Sequence, residues 1–224
     1  MKRFLIGLSI LGNVLTIAGV GAVYYRTDGF DFSASQRARL RSFYETFPVE
    51  RGDVVFLGDS ITQGGKWHEM FPDVAVKNRG IGGDTSQGVL DRLHTITSGK
   101  PSKVFLEIGT NDIAALVDAE TIRANVGKII ERIHAESPGT EVFVESVLPR
   151  DPLLTPAVKR LNEHLEPETR EKDATWIDVF PVFANEDSSA IREEYANDRL
   201  HLMGPGYVAW REALAPYVRA GAPN

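Results

Sequence analysis

The chain has 224 residues, 42% of them hydrophobic, which suits one globular domain of full size. Its formal net charge of −6 argues against a nucleic-acid partner, since no basic stripe exists to neutralise phosphates. Cysteine is absent, which excludes disulfides, thiolate nucleophiles and cysteine-based zinc sites.

The first segment, 4–25, is uncharged and follows Lys2 and Arg3. Because ~20 apolar residues span a bilayer, residues 1–26 are predicted as a membrane anchor with the rest of the chain outside the cytoplasm. A cleaved signal peptide is the alternative, for which Val20-Gly21-Ala22 offers small residues. The anchor is favoured because the run exceeds the ~7–15 residues of a usual signal core. Either way we expect an exported protein.

A linker and a first helix are predicted for residues 27–50. Charged residues are mixed with apolar ones at helical spacing over about 35–46, and Pro48 ends the pattern. The remainder, 51–224, shows no repeat and no second hydrophobic block, so we expect it to form one domain.

Beyond residue 51, apolar runs rich in β-branched residues alternate with helix-like segments. Because the runs are continuously apolar, they predict strands buried on both faces of a parallel sheet. We expect an α/β fold: a three-layer α/β/α sandwich with a five-stranded parallel sheet, flavodoxin-like, plus the N-terminal hydrophobic helix. The predicted strands are 54–57, 74–76, 104–108, 142–147 and 175–180, and the predicted helices are 86–97, 119–136, 156–171 and 205–218.

Gly58-Asp59-Ser60 follows the first predicted strand. Ligands bind outside the carboxyl ends of such strands, so this serine lies at a site-forming edge. Its hydroxyl becomes a nucleophile if a base removes its proton. An ordinary turn is the alternative, since Asp-Ser after Gly is good turn chemistry. The nucleophile elbow of α/β-hydrolases is not matched, because its second glycine would fall on Thr62.

Two more strand ends carry candidate hydrogen-bond donors. Three glycines within residues 80–83 allow backbone N–H groups to approach a ligand, although a flexible turn would use the same residues. Asn111 follows the third predicted strand, and its amide can donate without carrying charge, as an oxyanion hole requires. A helix cap or an Asx turn explains Asn111 equally well.

Near the C-terminus, Asp198 and His201 lie three residues apart. In one turn the carboxylate could reach the imidazole and fix its tautomer. A zinc pair is the alternative chemistry, but no further His or Cys cluster completes a ligand set, so we expect no metal.

Four motifs in this order resemble the SGNH (GDSL) hydrolase superfamily: VVFLGDS, NRGIGGDTSQGVLDRL, GTND and DRLHL. Within it they are most similar to the branch of the platelet-activating-factor acetylhydrolase alpha subunits. The resemblance implies a carboxylic ester hydrolase that needs no cofactor. It implies a catalytic triad of Ser60, Asp198 and His201, and an oxyanion hole formed by the N–H groups of Ser60 and Gly83 and the amide of Asn111.

By the same resemblance, His201 takes the proton of Ser60 and later gives it to the leaving alcohol, while Asp198 orients the imidazole. The reaction would pass through an acyl-serine intermediate. Removing one oxyanion donor typically costs ~10²–10³ in turnover, so we expect Asn111→Ala to be severe for kinetics and nearly silent for structure.

Two apolar residues beside the catalytic motifs bear on the choice of substrate. Ile61 follows the nucleophile and Leu200 precedes the base, so both are predicted to narrow the acyl pocket and to favour an acetyl group. For an exported enzyme, an O-acetylated saccharide is a natural substrate, and lysophospholipid or thioester hydrolysis is the alternative. The predicted anchor departs from the soluble acetylhydrolase subunits, so neither their lipid substrate nor their dimeric association is carried over.

Two other functions are compatible with an α/β fold of this kind. A non-catalytic carbohydrate-binding protein of the same fold would be favoured by loss of a triad residue, and none is lost. A phosphate ester hydrolase would need a metal-binding carboxylate cluster, for which Asp59, Asp84 and Asp112 are candidates. That function would leave the Asp-x-x-His pair and the Asn donor unexplained.

Overall fold

The computed structural model describes residues 32–220, which are organised by a central parallel sheet. Its five strands pair in the order β2-β1-β3-β4-β5, and every pair is parallel. The predicted five-stranded, flavodoxin-like sheet is therefore confirmed. The strands are β1 (Val54–Gly58), β2 (Val76–Gly80), β3 (Lys103–Glu107), β4 (Glu141–Glu145) and β5 (Thr175–Ile177).

Helices connect these strands. Within the described residues they are α1 (Phe32–Thr46), α2 (Ser60–Gly64), α3 (Trp67–Met70), α4 (Ser86–Arg92), α5 (His94–Thr97), α6 (Thr110–Ala114), α7 (Ala119–Glu136), α8 (Thr155–Glu171), α9 (Phe180–Phe183) and α10 (Gly204–Arg219). The helix predicted over 119–136 has the bounds of α7, whereas the one predicted over 86–97 is interrupted at Leu93 and forms α4 and α5.

Both faces of the sheet are buried, because successive strand residues point to opposite sides. In β1, Val55 and Leu57 join an aliphatic cluster that also contains apolar residues of α7 and α8. Phe56 faces the other way, where its ring stacks on Trp67 at 3.7 Å and belongs to an aromatic cluster that includes Trp210 of α10. The three-layer α/β/α arrangement follows from these two clusters.

The edge strand β2 differs from its prediction. It was predicted at 74–76, but it ends at Gly80, four residues beyond the predicted end. Two of its polar side chains bind backbone carbonyl groups. The Asn78 amide donates to the carbonyls of Thr62, Gln63 and Gly65, and Arg79 Nη2 donates to Phe47 O at 2.7 Å. A reading based on apolar runs ends this strand where the polar residues begin.

The part of α1 from Arg39 onward belongs to the same compact unit as the sheet. Tyr44 is 5% exposed, and its hydroxyl donates to Gly80 O at 2.7 Å. The Arg79 guanidinium lies 4.6 Å from the centre of the Tyr44 ring. These contacts connect the helix to the edge strand.

The predicted hydrophobic helix at 4–25 lies outside the described residues. Across residues 32–220 no helix combines the length and the apolar character needed to cross a bilayer.

Candidate active site

Ser60 is held at the end of a buried strand. All five residues of β1 are buried, and Asp59 then caps the short helix α2 by accepting from Ile61 N at 2.9 Å. Ser60 is the first residue of α2, so its own N–H has no acceptor four residues earlier. A rigid strand and a capped turn therefore fix the position of this half-buried hydroxyl.

His201 and Asp198 complete a hydrogen-bonded chain with Ser60. The Ser60 Oγ lies 3.0 Å from His201 Nε2, and His201 Nδ1 lies 2.6 Å from Asp198 Oδ2. A carboxylate beside Nδ1 keeps a proton on that nitrogen, so Nε2 is left to accept from the serine. Ser60 and His201, which are 141 positions apart along the chain, thus meet in one place together with Asp198.

The loop that carries Asp198 and His201 is exposed but locally constrained. An antiparallel bridge between Ala196 and Leu202 closes its base. Asp198 Oδ1 accepts the N–H groups of Leu200 at 3.0 Å and His201 at 2.7 Å. The His201 and Asp198 side chains are each 49% exposed, so a substrate can approach the base from solvent.

The charge state of Asp198 suits this position. Partial burial raises the pKa of its carboxyl, but hydrogen bonds from the His201 side chain and from the loop N–H groups outweigh it and hold the pKa below its usual range. Asp198 is therefore ionised at neutral pH and stabilises an imidazolium on His201.

The glycine-rich loop after β2 lies against the nucleophile. Gly82 N–H donates to Gln63 Oε1 at 2.6 Å, and a Cβ on Gly82 would lie 3.8 Å from Ser60 Cβ. Gly83 has a φ of +75°, a conformation that glycine adopts without strain. Its N–H has no acceptor within residues 32–220, so it remains free to bind an oxyanion beside Ser60.

Asn111 reaches the same place from α6. The turn before it needs Gly109, whose φ is +136° and whose position leaves no room for a Cβ, since Leu161 Cδ2 would lie 2.8 Å away. Asn111 Nδ2 donates to Asp84 O at 2.8 Å and to Asp59 Oδ2 at 3.2 Å. Both amide hydrogens thus have protein acceptors, and the longer bond, to Asp59, is the one with which an oxyanion would compete.

A buried ion pair links these donor-bearing segments. Arg92 Nε donates to Asp84 Oδ2 at 2.7 Å, and Arg92 Nη2 donates to Gly58 O at 3.1 Å. Both side chains are 3% exposed. Since Asp84 follows Gly83 and its carbonyl accepts from Asn111, one guanidinium joins the end of β1 to both of these predicted oxyanion donors.

Three acidic side chains lie buried beneath the site. Burial raises the pKa of Asp59 to about 7, against the bond from Ile61 N that lowers it. Burial also raises the pKa of Glu145 to about 8, although Trp210 Nε1 donates to it at 2.5 Å, and raises that of Glu107 well above its usual value. For all three carboxyl groups, burial is the main cause of the raised pKa, because it disfavours the charged form.

The carboxylates considered for a metal site have other partners. Asp84 pairs with Arg92, and Asp112 accepts from the backbone and hydroxyl of Ser86 at 2.9 and 2.6 Å. Within the described part of the chain, no three His, Cys, Asp or Glu side chains are placed to hold a metal ion.

The two residues predicted to contact the acyl group differ in position. Ile61 is 1% exposed and packs in the aromatic cluster. The reason is the direction of α2, which turns the residue after Ser60 toward the sheet. Leu200 is partly buried and packs against the edge of the same cluster, next to His201.

Sequence reasoning missed three residues that organise the site: Gln63, Arg92 and Arg150. Arg92 stands eight residues after Asp84 in a motif already singled out, so the acid–base spacing across a turn and a helix was the available signal. Gln63 follows Ser60 at helical spacing. Arg150, which donates to Thr110 O at 3.2 Å, had no signal because it lies in an irregular loop.

Comparisons with known proteins agree with this geometry. The model of the GDSL-like lipase/acylhydrolase family matches residues 56–209. The bovine platelet-activating factor acetylhydrolase IB subunit alpha1 is 31% identical over 190 residues, which cover 79% of this chain and 81% of the relative.

Two solved structures share the fold. A GDSL-like lipase from Bacteroides thetaiotaomicron superposes with a TM-score of 0.70 at 24% identity, covering 80% of this chain and 97% of its own. The acetylxylan esterase Axe2 from Geobacillus stearothermophilus superposes with a TM-score of 0.63 at 16% identity, covering 76% and 95%.

Proposed function

Since the chain belongs to the GDSL-like lipase/acylhydrolase family and is a carboxylic ester hydrolase, we propose that it hydrolyses a short-chain ester, with acetyl as the acyl group, carried by an O-acetylated saccharide. The observation that carries the proposal is the chain of hydrogen bonds from Ser60 Oγ through His201 to Asp198.

The first half of the reaction forms an acyl-serine. His201 Nε2 accepts the Ser60 proton while Oγ attacks the ester carbonyl carbon, and a tetrahedral oxyanion results. As this intermediate collapses, the bond to the alcohol oxygen breaks and His201 returns the proton to that oxygen. Asp198 stays ionised and stabilises the imidazolium in between.

The second half repeats these steps with water. His201 Nε2 takes a proton from the water, whose oxygen attacks the acyl-serine carbonyl carbon. Collapse of the second tetrahedral intermediate breaks the bond to Ser60 Oγ, which regains the proton from His201, and the carboxylic acid leaves.

The oxyanion is held by the N–H groups of Ser60 and Gly83, with Asn111 as the third donor. The free Gly83 N–H and the uncapped Ser60 N–H support this role directly. The Asn111 amide joins them by exchanging its 3.2 Å bond to Asp59 for one to the developing charge.

The acyl and alcohol parts of the substrate rest on different support. The bovine relative is named an acetylhydrolase, which favours an acetyl group. The saccharide is favoured by the predicted export of the protein and by the open, polar surroundings of His201 and Asp198.

Acetate release from p-nitrophenyl acetate by the full chain tests the proposal, with Ser60→Ala beside it and a chelator added to both. We expect Ser60→Ala to lose at least ~10⁴-fold in kcat, in line with nucleophile removal elsewhere. Ser98→Ala, an exposed serine at the end of α5, is the matched control and should keep full activity. Activity that survives Ser60→Ala, or that disappears with chelator, contradicts the mechanism.

Acyl length is tested separately by nitrophenyl esters from acetate to decanoate. We expect kcat/KM to fall with chain length. Faster turnover of the decanoate would reject the acetyl assignment while leaving the serine mechanism intact.

We also propose that the catalytic unit is exported, on the basis of the uncharged segment 4–25 behind Lys2 and Arg3. Expression of the full chain in a Gram-negative host, followed by fractionation and protease treatment of spheroplasts, tests this. Esterase activity confined to the cytosol would contradict it.

A further inference from the structure

A cavity of about 670 Å³ lies beside the loop that carries the base, and the mechanism above does not use it. Its wall includes Arg199, which stands between Asp198 and His201 in the sequence, and Ala196 at the base of the same loop. The bridge between Ala196 and Leu202 closes this loop. The cavity therefore adjoins the base side of the site.

Another part of the lining is connected by hydrogen bonds to Thr110, beside the predicted oxyanion donor Asn111. Pro152 lines the cavity two residues after Arg150, whose Nη1 donates to Thr110 O at 3.2 Å and to Thr110 Oγ1 at 3.1 Å. Thr110 directly precedes Asn111. Arg150 O also accepts from Ile191 N at 2.9 Å, and Ile191 lines the cavity. One arginine thus connects the cavity wall to the third oxyanion donor.

The lining offers charged donors and acceptors that have no ion-pair partner. Arg199 and Glu193 are exposed, and neither forms a salt bridge with another residue of the described chain. Arg192 uses its Nε to donate to Ala184 O at 2.8 Å, with its guanidinium 5.7 Å from the centre of the Tyr195 ring. Guanidinium and carboxylate groups side by side suit a ligand rich in hydroxyl groups, which both donate and accept.

We propose that this cavity binds the saccharide part of the ester, with Arg199 as a specificity-determining residue, an inference that rests on the proposed function. Its volume falls within the ~300–1,000 Å³ of sites that hold drug-sized molecules, so it takes far more than an acetyl group. Such sites are usually lined mainly by apolar side chains. This lining is mostly polar, with three glutamates against two arginines, which disfavours an alkyl chain or a phosphate group.

The backbone at Arg199 supports a functional role. Its φ is +65°, in the left-handed region that side chains other than Gly, Asn and Asp seldom adopt. An arginine in this backbone conformation costs local stability. Its side chain forms no ion pair or hydrogen bond within residues 32–220 that would offset this cost.

The test compares kcat/KM for mono-acetylated xylobiose with kcat/KM for p-nitrophenyl acetate in the full chain. Two variants alter the cavity: Arg199→Asn, because Asn tolerates this backbone, and Ala190→Trp, which fills the space from the wall. Arg160→Asn, an exposed arginine on α8 outside the cavity, is the control. We expect the ratio to fall at least tenfold in both cavity variants, mainly through KM for the disaccharide ester, and to stay within twofold in the control.

A second measurement does not depend on the variants folding. Titration calorimetry of wild-type protein with unacetylated xylobiose should show saturable binding. An unchanged ratio in correctly folded Arg199→Asn and Ala190→Trp, or no binding of xylobiose at millimolar concentration, would overturn the inference.

A lipid substrate tests whether the cavity binds a lipid and not a saccharide. The same variants are assayed with a dispersed acetyl glycerophosphocholine, and a selective loss on that substrate alone would also overturn the saccharide assignment. Ser60-dependent cleavage of p-nitrophenyl acetate with an unchanged ratio removes this inference only. Cleavage that does not need Ser60 removes the proposed function and this inference with it.

Discussion

The two halves of the candidate site are built in opposite ways. The half proposed to move protons, Asp198 and His201, lies on a loop, and both side chains are 49% exposed. The half that would bind the oxyanion depends on Asp84 and Arg92, which are 3% exposed and joined to Gly58 and Asn111 by hydrogen bonds.

This difference separates what each half contributes. An exposed side chain contributes little to the free energy of unfolding, so substitutions on the loop should affect the chemistry alone. A buried ion pair with hydrogen bonds to backbone carbonyls holds several chain segments at once, so its loss should affect stability and turnover together. Each substitution below tests one side of this contrast.

The largest effect is expected for His201→Ala, which removes the base from the exposed half. We expect kcat for p-nitrophenyl acetate to fall at least ~10⁴-fold, while the midpoint of thermal unfolding changes by only about 1–2 °C. His68→Ala, at an exposed histidine outside the site, is the control and should retain full activity. A large drop in thermal stability for His201→Ala would show that the two halves are not independent.

Next comes Arg92→Met, which leaves the buried Asp84 carboxylate without its closest cation. We expect a loss of about 3–5 kcal/mol in the free energy of unfolding measured with urea, together with lower kcat. Arg92→Lys should recover part of both, because it keeps the charge but cannot hold Asp84 and Gly58 O together.

The control for this pair is Arg170→Met, which removes an exposed ion pair with Glu166 and should cost less than about 1 kcal/mol. If Arg92→Met were no more destabilising than Arg170→Met, the buried network would not have the role assigned to it.

Asn111→Ala sharpens the comparison because Asn111 belongs to both the chemistry and the network. We expect kcat to fall ~10²–10³-fold with KM little changed. Sequence reasoning expected almost no structural effect, but the amide donates to Asp84 O and Asp59, so we now expect a loss of about 1–2 kcal/mol in stability. Urea unfolding beside steady-state kinetics measures both, and unchanged kcat would remove Asn111 from the oxyanion hole.

The smallest effect concerns pH and the buried Glu145. Its folded-state pKa of about 8 lies above the value of 4.5 for an exposed glutamate, so the folded state binds this proton more tightly. The resulting stabilisation is complete below pH 4.5 and is lost as pH rises through 8, with a slope of about 1 kcal/mol per pH unit. Glu107, whose pKa is raised by burial, contributes with the same sign.

Glu145→Gln keeps an acceptor for Trp210 Nε1 and removes the titration. Urea unfolding at pH 6 and pH 9 should therefore show a smaller loss of stability in the variant than in the wild type. An equal loss in both proteins would mean that Glu145 is ionised throughout this range.

Much of the fold could be predicted because the central strands are uniformly apolar. Val54 to Leu57 and the runs that became β3 and β4 carry their own signal, since burial on both faces leaves no polar alternation. The C-terminal end of β2 was missed, because Asn78 and Arg79 are polar and bind backbone carbonyls of segments that are distant in sequence.

The residues of the candidate site also divide into those that the sequence predicts and those that only the folded structure shows. Ser60, Asp198 and His201 belong to short motifs that can be recognised in the sequence. The fold then connects the three side chains by hydrogen bonds. Arg92 and Gln63 act through residues that only the folded chain brings near them. The burial of Ile61 could not be predicted, because adjacency to Ser60 does not say which side of α2 faces the sheet.

Tyr44 has a practical consequence for anyone who shortens or recombines this protein. A fragment cut at residue 51 would lose the hydroxyl that binds Gly80 O and the ring beneath the Arg79 guanidinium, and Val49 would leave the core with it. The fragment would also lose the Phe47 carbonyl that accepts from Arg79 Nη2 at 2.7 Å, so we expect the edge strand to be less stable. Boundaries for expression or domain swapping therefore belong ahead of Arg39.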